Sequence, residues 1–291
     1  MARTDLHLTE RPSSLLLPAV LVAALWLPSS SYAQRVEKRF PTSANPTVHL
    51  HSENAQIKIK GWERTEVRMI AVPGPATEVT AEQKSNRVEI ITQVVRPGVP
   101  SAERGVNYEI MAPEESSLTV HCDAGSVQIE RIRGDISVET VTAPTVLRDI
   151  EGHIAIKTMS GAVSAERYTG RIEARSVSGD LRFLQSATSS LTANTTSGAI
   201  YFEGMLRHAG TYSFTNYSGL TELVLSADDS FELKADSVRG IVESEIPLQR
   251  PRASRATYAP KLMQSLVGVY GAGEASVQAS SFSGKIKIRK R

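Results

Sequence analysis

Between Ala124 and Ser186 the chain divides into blocks of nine. Glycine holds the second place of every block but one: Gly125, Gly134, Gly152, Gly161, Gly170 and Gly179, with Ala143 in the remaining slot. The fourth and sixth places are mostly apolar, as at Val127 and Ile129, Ile136 and Val138, Ile154 and Ile156, Ile172 and Ala174, and Leu181 and Phe183. The ninth is usually apolar too: Ile132, Val141, Ile150, Met159, Tyr168, Val177. A short alternating strand, a corner and a glycine turn recur without interruption.

Alternate blocks differ in character, so the true repeat is about eighteen residues. One column of corners reads Thr-Met-Ser-Gly (158–161), Ser-Val-Ser-Gly (176–179), Thr-Thr-Ser-Gly (195–198), Asn-Tyr-Ser-Gly (216–219), Ser-Val-Arg-Gly (237–240) and Ser-Phe-Ser-Gly (281–284). The interleaved column reads Arg-Ile-Arg-Gly (131–134), Asp-Ile-Glu-Gly (149–152) and Arg-Tyr-Thr-Gly (167–170). Spacing in the first column grows from 18 residues to 19 after Gly179 and to 21 after Gly198, and the extra residues are expected to bulge at corners.

A fixed period near twenty, carried by strands too short to bury a face alone, is the signature of a solenoid. The expected fold is all-β: a single-stranded, right-handed parallel β-solenoid of β-helix or β-roll type, with 18–21-residue coils. Each strand pairs in parallel with its equivalent one coil on, and the other half of the coil is the return connection. Glycine at the corners, including Gly161 and Gly179, is expected to take positive φ and to let coils stack closely. An antiparallel sandwich of short strands is the competing architecture, but eighteen-residue self-similarity argues against it.

Residues 1–33 read as a signal peptide. Arg3 and Arg11 give a basic start, residues 15–27 an apolar run, and Ser31-Tyr32-Ala33 a small-x-small cleavage site. The protein is therefore expected to be exported, to the periplasm, outer surface or exterior. Residues 34–122 read as a β-rich entry or capping part, with a polar lead-in to Pro46 and a helical turn or loop at Thr77–Lys84. Regular coils fill 123–246, a Pro/Arg-rich loop 247–262, and final coils 263–291. The last strand, from Lys285, carries five cations. It reads as an edge guarded against end-to-end aggregation.

The 291 residues are 41% apolar, enough for a large core, and the net charge of +2 does not suggest a nucleic-acid partner. Aromatics at 5% disfavour a propeller or a lectin sandwich. The single cysteine, Cys122, excludes an internal disulfide and a multi-cysteine metal site, and is expected to be a small core residue.

Three stretches carry a resemblance: the repeat Ser-Gly-x-[Val/Ile]-x-[Val/Ala], the entry strand from Gln56 to Val67, and the ending Gly271-Ala272-Gly273 with Ser281 to Ile288. Together they resemble a bacterial adhesin-like β-strand-repeat family, domain of unknown function 4097, over about Val48 to Ile288. The resemblance implies an exported or envelope β-solenoid without assigned catalytic residues. Two departures are a repeat without its glycine (Ala187-Thr188-Ser189) and the long Pro/Arg loop.

No cofactor, metal or catalytic constellation is expected. Calcium-binding repeats need an aspartate at every turn; here the corners carry Ser-Gly or Thr-Gly, and Asp228-Asp229 reads as a turn cap. Asp123, Asp149, Glu151 and Asp180 lie near corners without forming a stacked pair, which weakens the alternative of a carbohydrate-active β-helix lyase or hydrolase. His49 and His51 share one strand face but have no evident third ligand. Tyr201, Tyr212 and Tyr217, near the irregular coils, are candidates for stacking on sugar rings, with Tyr201 expected to face outward between Ile200 and Phe202. Arg250, Arg252 and Arg255, with the cationic tail, are candidates for anionic glycans or lipid headgroups. The expected activity is non-enzymatic: adhesin-like or envelope-scaffold contact with envelope or extracellular glycans or another envelope protein, with peripheral membrane contact as a further option. Self-assembly end to end is opposed by the basic last strand.

Overall fold

The computed structural model describes residues 35–249 and 264–291. The expected signal peptide and nearly all of the Pro/Arg-rich loop lie outside these residues. In chain order the strands are β1 (Val36–Pro41), β2 (Thr47–Trp62), β3 (Glu66–Pro73), β4 (Thr77–Lys84), β5 (Arg87–Val94), β6 (Val106–Pro113), β7 (Ser117–Arg133), β8 (Ile136–Thr140), β9 (Thr145–Thr158), β10 (Val163–Ser176), β11 (Leu181–Thr195), β12 (Ile200–Gly204), β13 (Thr211–Asn216), β14 (Thr221–Leu225), β15 (Phe231–Ser237), β16 (Ile241–Ser244), β17 (Gln264–Tyr270), β18 (Ala275–Ser281) and β19 (Lys285–Lys290). They form one continuous all-β sheet, wound in a solenoid-like stack of parallel strands.

Stacking follows the repeat. In β10, Val163 lies beside Thr145 on one side and Leu181 on the other, and Ile172 lies beside Ile154 and Leu191. Strand alternation then puts Ile154, Ile156, Ile172, Ala174, Leu181 and Phe183 into the core. Burying each large aliphatic or aromatic side chain stabilises by about 1.5–3 kcal/mol. The long strands β7, β9, β10 and β11 bend without breaking at Arg131, Asp149, Arg167 and Gln185, all left-handed with φ between 50° and 56°. At this corner non-glycine residues thus supply much of the positive φ expected of glycine alone. The missing glycine is filled by Thr188, fully buried opposite Gly170, and the register shifts immediately beyond it. The longer coils bulge at the opposite side from the Ser-Gly column, between β12 and β13 and between β14 and β15.

Two sheet faces result. One runs, in space, β4, β5, the start of β2, the start of β7, β8, the ends of β9, β10 and β11, then β13, β18, β15 and β17. The other runs β1, β3, β6, the end of β2, the end of β7, the starts of β9, β10 and β11, then β12, β14, β19 and β16.

Spatial order therefore departs from chain order at both ends. β5 and β6 lie outside β2, and β18–β19 is inserted between β13–β14 and β15–β16. Antiparallel strands close over the outermost coils: β3 on β6 and β4 on β5 at one end, β17 on β15 at the other. Three expectations are corrected. Thr77–Lys84 is a strand, because its Val79 and Ala81 turn inward against β5. The lead-in contains β1, paired on β3. The basic last strand is not an edge: β14 and β16 flank it on both sides. Its cations meet carboxylates on both neighbours, Lys285 with Glu243 at 2.7 Å and Arg289 with Glu222 at 3.0 Å. These solvent-screened surface pairs contribute little; the buried Ile286 and Ile288 hold the strand. Cys122 is a buried core residue, as expected, and burial pushes its thiol up to about 11.

Candidate functional site

The Ser-Gly corner repeats one local construction, and each of its four residues has a separate task. In every corner of the column but Ser176–Gly179 the first side chain accepts the N–H of the glycine three residues on: Thr158 from Gly161 at 3.0 Å, Thr195 from Gly198 at 3.2 Å, Asn216 from Gly219 at 2.7 Å, Ser281 from Gly284 at 2.8 Å and Ser237 from Gly240 at 3.0 Å. The third residue donates its hydroxyl to a carbonyl of the preceding coil. Ser160 donates to Val141 O, Ser178 to Met159 O, Ser197 to Val177 O, Ser218 to Thr196 O and Ser283 to Tyr217 O, at 3.2–3.4 Å.

The fourth residue must lack a Cβ. A Cβ on Gly179 would overlap the carbonyl oxygen of Gly161; Gly198 meets Gly179, Gly219 meets Gly198, Gly284 meets Gly219 and Gly240 meets Gly284 in the same way. Neither Gly161 nor Gly179 has positive φ, so the expectation of left-handed backbone is corrected there. Close approach of backbones is what demands glycine. The same chain of contacts fixes the spatial order Gly219, Gly284, Gly240.

The second residue is left pointing outward. Val141, Met159, Val177, Thr196, Tyr217, Phe282 and Val238 therefore stack into a ridge along this corner. Met159 is 56% exposed, Val177 51%, Tyr217 54% and Val238 37%. The ninth places of the sequence blocks split accordingly: Ile132, Ile150 and Tyr168 are core, whereas Met159 and Val177 are surface. The ridge ends in an aromatic stack. The rings of Tyr217 and Phe282 lie 4.8 Å apart and 9° from parallel, and the Arg239 guanidinium lies 5.3 Å from the Phe282 ring on the next coil. Stacked aromatic and cation–π contacts of this kind are worth roughly 0.5–1.5 kcal/mol each.

The structure separates the three tyrosines named from the sequence. Tyr217 is on the ridge. Tyr201 faces outward between buried Ile200 and Phe202, half-buried, donating to Glu203 at 2.9 Å with Arg182 5.0 Å from its ring. Tyr212 is corrected: it is 0% exposed, donates to Thr188 O at 2.6 Å and accepts Arg207 N–H at 2.8 Å. It follows the exposed Thr211 on β13 and takes the inward register with Phe214. Arg250, Arg252 and Arg255 lie outside the described residues. Phe282 and Arg239 were missed as site residues. Their corner column is visible in the sequence, but only the insertion of β18–β19 brings Phe282 beside Tyr217 and Arg239 beside Phe282.

The remaining candidate groups are held in local pairs. Arg167 donates to Asp149 at 2.7 and 2.9 Å, which holds that carboxyl below its usual range, and Glu151 lies 3.9 Å from Arg133. Asp180 accepts Ala199 N–H at 2.8 Å, and Asp229 caps its turn by accepting Ser226 N–H at 2.6 Å. His51 stacks on His121 at 4.7 Å, and His121 lies 3.2 Å from Asp123 and 3.9 Å from Glu139. Burial, followed by Arg87 nearby, lowers the pKa of His49. Among the described residues no set of three His, Cys, Asp or Glu side chains is placed to hold a metal ion.

A family model, Toastrack DUF4097, matches residues 42–289. Two solved structures are similar. One is a proposed cell adhesion protein from Clostridium sporogenes, at 11% identity over 89% of this chain and 100% of that chain, with a TM-score of 0.28. The other is a proposed adhesin from Bacteroides fragilis, at 10% identity over 88% of this chain and 98% of that chain, with a TM-score of 0.42. No curated protein matches the chain.

Proposed function

The chain belongs to the Toastrack DUF4097 family, and from that premise we propose that it is an exported, non-enzymatic protein that works by surface contact, adhesin-like or as an envelope scaffold. The observation that carries this reading is the apolar ridge from Val141 to Val238. Single exposed apolar residues are ordinary, but a row of apolar positions, interrupted at Thr196 and with Met159, Val177, Tyr217 and Val238 exposed, marks an interaction surface. Each coil presents the same outward position there, held by corner bonds that do not depend on what the side chain is. The scaffold thus offers a line of substitutable contact residues on a rigid support. The carboxylates that would serve a glycosidase are engaged instead in surface ion pairs and turn caps.

Export is inferred from residues 1–33. Among the described residues no helix is long and apolar enough to cross a membrane. The winding is read as right-handed, the hand that parallel crossovers take, with coils of 18–21 residues.

Retention of beads coated with the full chain on glycoprotein, polysaccharide and deglycosylated protein surfaces tests the reading. Wild-type beads are expected to be retained on one of them, and beads carrying Met159→Ser with Tyr217→Ser are not. Equal retention of both, or release of reducing ends from the polysaccharide, would contradict it.

A further inference from the structure

Resting on the contact reading above, we propose that the free face of the Tyr217 ring is the seat of a neutral pyranose sugar. Phe282 has both faces covered, by Tyr217 on one side and Arg239 on the other. Among the described residues Tyr217 has an aromatic partner on one face only, and the residue is 54% exposed. Its other face looks along the stack toward the level of Thr196, the next ridge position, where a short exposed side chain leaves a step in the ridge. Beyond the step stands Val177, 51% exposed. Two strand spacings, about 9.6 Å, separate the Tyr217 and Val177 levels. Allowing for the thickness of the Tyr ring and the Val methyls, that is room for one saturated six-membered ring.

The chemistry beside the step selects the occupant. Ser197 and Ser218 commit their hydroxyl protons to Val177 O and Thr196 O. Their outward lone pairs are therefore acceptors without a proton to give. A ligand that uses this seat must offer a C–H face to the Tyr217 ring and several O–H donors at its rim. A pyranose with axial hydrogens on one face has both. An aromatic side chain from a protein partner would use the ring and leave the acceptors unpaired. Asp180, the carboxylate of the adjoining corner, is already engaged by Ala199 N–H, so a cationic ligand gains little there. Arg239 lies on the far side of Phe282, out of reach of an acidic group on a sugar seated at Tyr217.

Saturation-transfer NMR of the full chain with β-linked galactose, glucose and N-acetylglucosamine oligosaccharides tests the seat. Wild type and Tyr217→Phe are expected to bind one of these neutral sugars. Tyr217→Ala should weaken binding about tenfold through loss of ring stacking. Thr196→Trp should do the same by filling the step; this corner position already carries Tyr and Phe in other coils, so that variant retains the fold. Binding by none of the sugars, or unchanged binding in both Tyr217→Ala and Thr196→Trp, overturns the proposal. Bead retention separates the two levels. Retention that depends on Tyr217 but is not competed by the free sugars leaves surface contact standing and removes the sugar seat. Absence of retention on every surface removes surface contact itself.

Discussion

Tyr217 and Phe282 stack with their rings 4.8 Å apart, although β14 to β18 lie between them in the chain. The pairing exists because Gly284 stacks directly on Gly219, which places the C-terminal coil against β13–β14 and displaces β15–β16 outward by one level. The exposed aromatic end of the ridge is thus a product of the insertion. In simple chain order, Val238 would stand where Phe282 does.

An inserted strand carries core-strand energetics. Ile288 is buried between β14 and β16. Ile288→Ala is expected to destabilise by about 2–4 kcal/mol, as much as Ile156→Ala in the middle of the stack. Urea unfolding of the two variants checks this. A much smaller loss at Ile288 would indicate a frayed terminal edge.

The glycine column should fail on the addition of a single methyl group. Gly179→Ala is expected to cost about 2–4 kcal/mol, because the new Cβ meets backbone that cannot move aside. Gly98, with φ at 85° and open space around its Cβ position, provides the comparison. There Ala should cost only about 1 kcal/mol of conformational strain. Thermal unfolding measures both; equal losses would contradict close approach as the reason for glycine at the corner.

Alkali should weaken the fold through two buried acids. Burial raises Cys122 from 9 to about 11, and burial raises Tyr108 from 10 to about 12 against the opposing effect of its hydrogen bond with Thr92. Both hold their protons more tightly folded than unfolded. Their contribution is complete below pH 9 and is lost as pH rises from 9 toward 12, on the order of 2–3 kcal/mol for each. Denaturant midpoints measured across that range should fall steadily; a flat profile would show that neither group is sequestered. In the same folded state Cys122 should resist thiol reagents at pH 8.

Most of the architecture was legible at the level of the repeat. The period near eighteen, the inward pairs such as Ile154 and Ile156, and the corner column all lie in local sequence, and each corner residue does what its chemistry allows. The order of stacking was hidden for a physical reason. Gly240 and Gly284 carry equivalent corners, so either can seat on Gly219, and the choice depends on packing across the whole coil. The capping strand at Thr77–Lys84 was obscured by its polar outward residues, which mask the inward alternation of Val79 and Ala81 until β5 is beside it. Of the candidate surface, the outward direction of Tyr201 could be read from alternation; Tyr217 stands in the corner beyond β13, where alternation no longer applies. Tyr212 could not be assigned from being a tyrosine near an irregular coil; its register beside Phe214 decides its burial.

The insertion of the last coil is tested most directly by a disulfide across it. Thr215 and Ser280 are register partners on β13 and β18, with side-chain oxygens 3.3 Å apart. Parallel neighbours at this spacing satisfy the separation a disulfide needs. The double variant Thr215→Cys with Ser280→Cys should oxidise within one molecule nearly to completion and raise Tm, while Thr215→Cys with Asp236→Cys, two levels apart in the inserted order, should not. Cross-linking of the Thr215–Asp236 pair instead would contradict the insertion and the aromatic stack built on it.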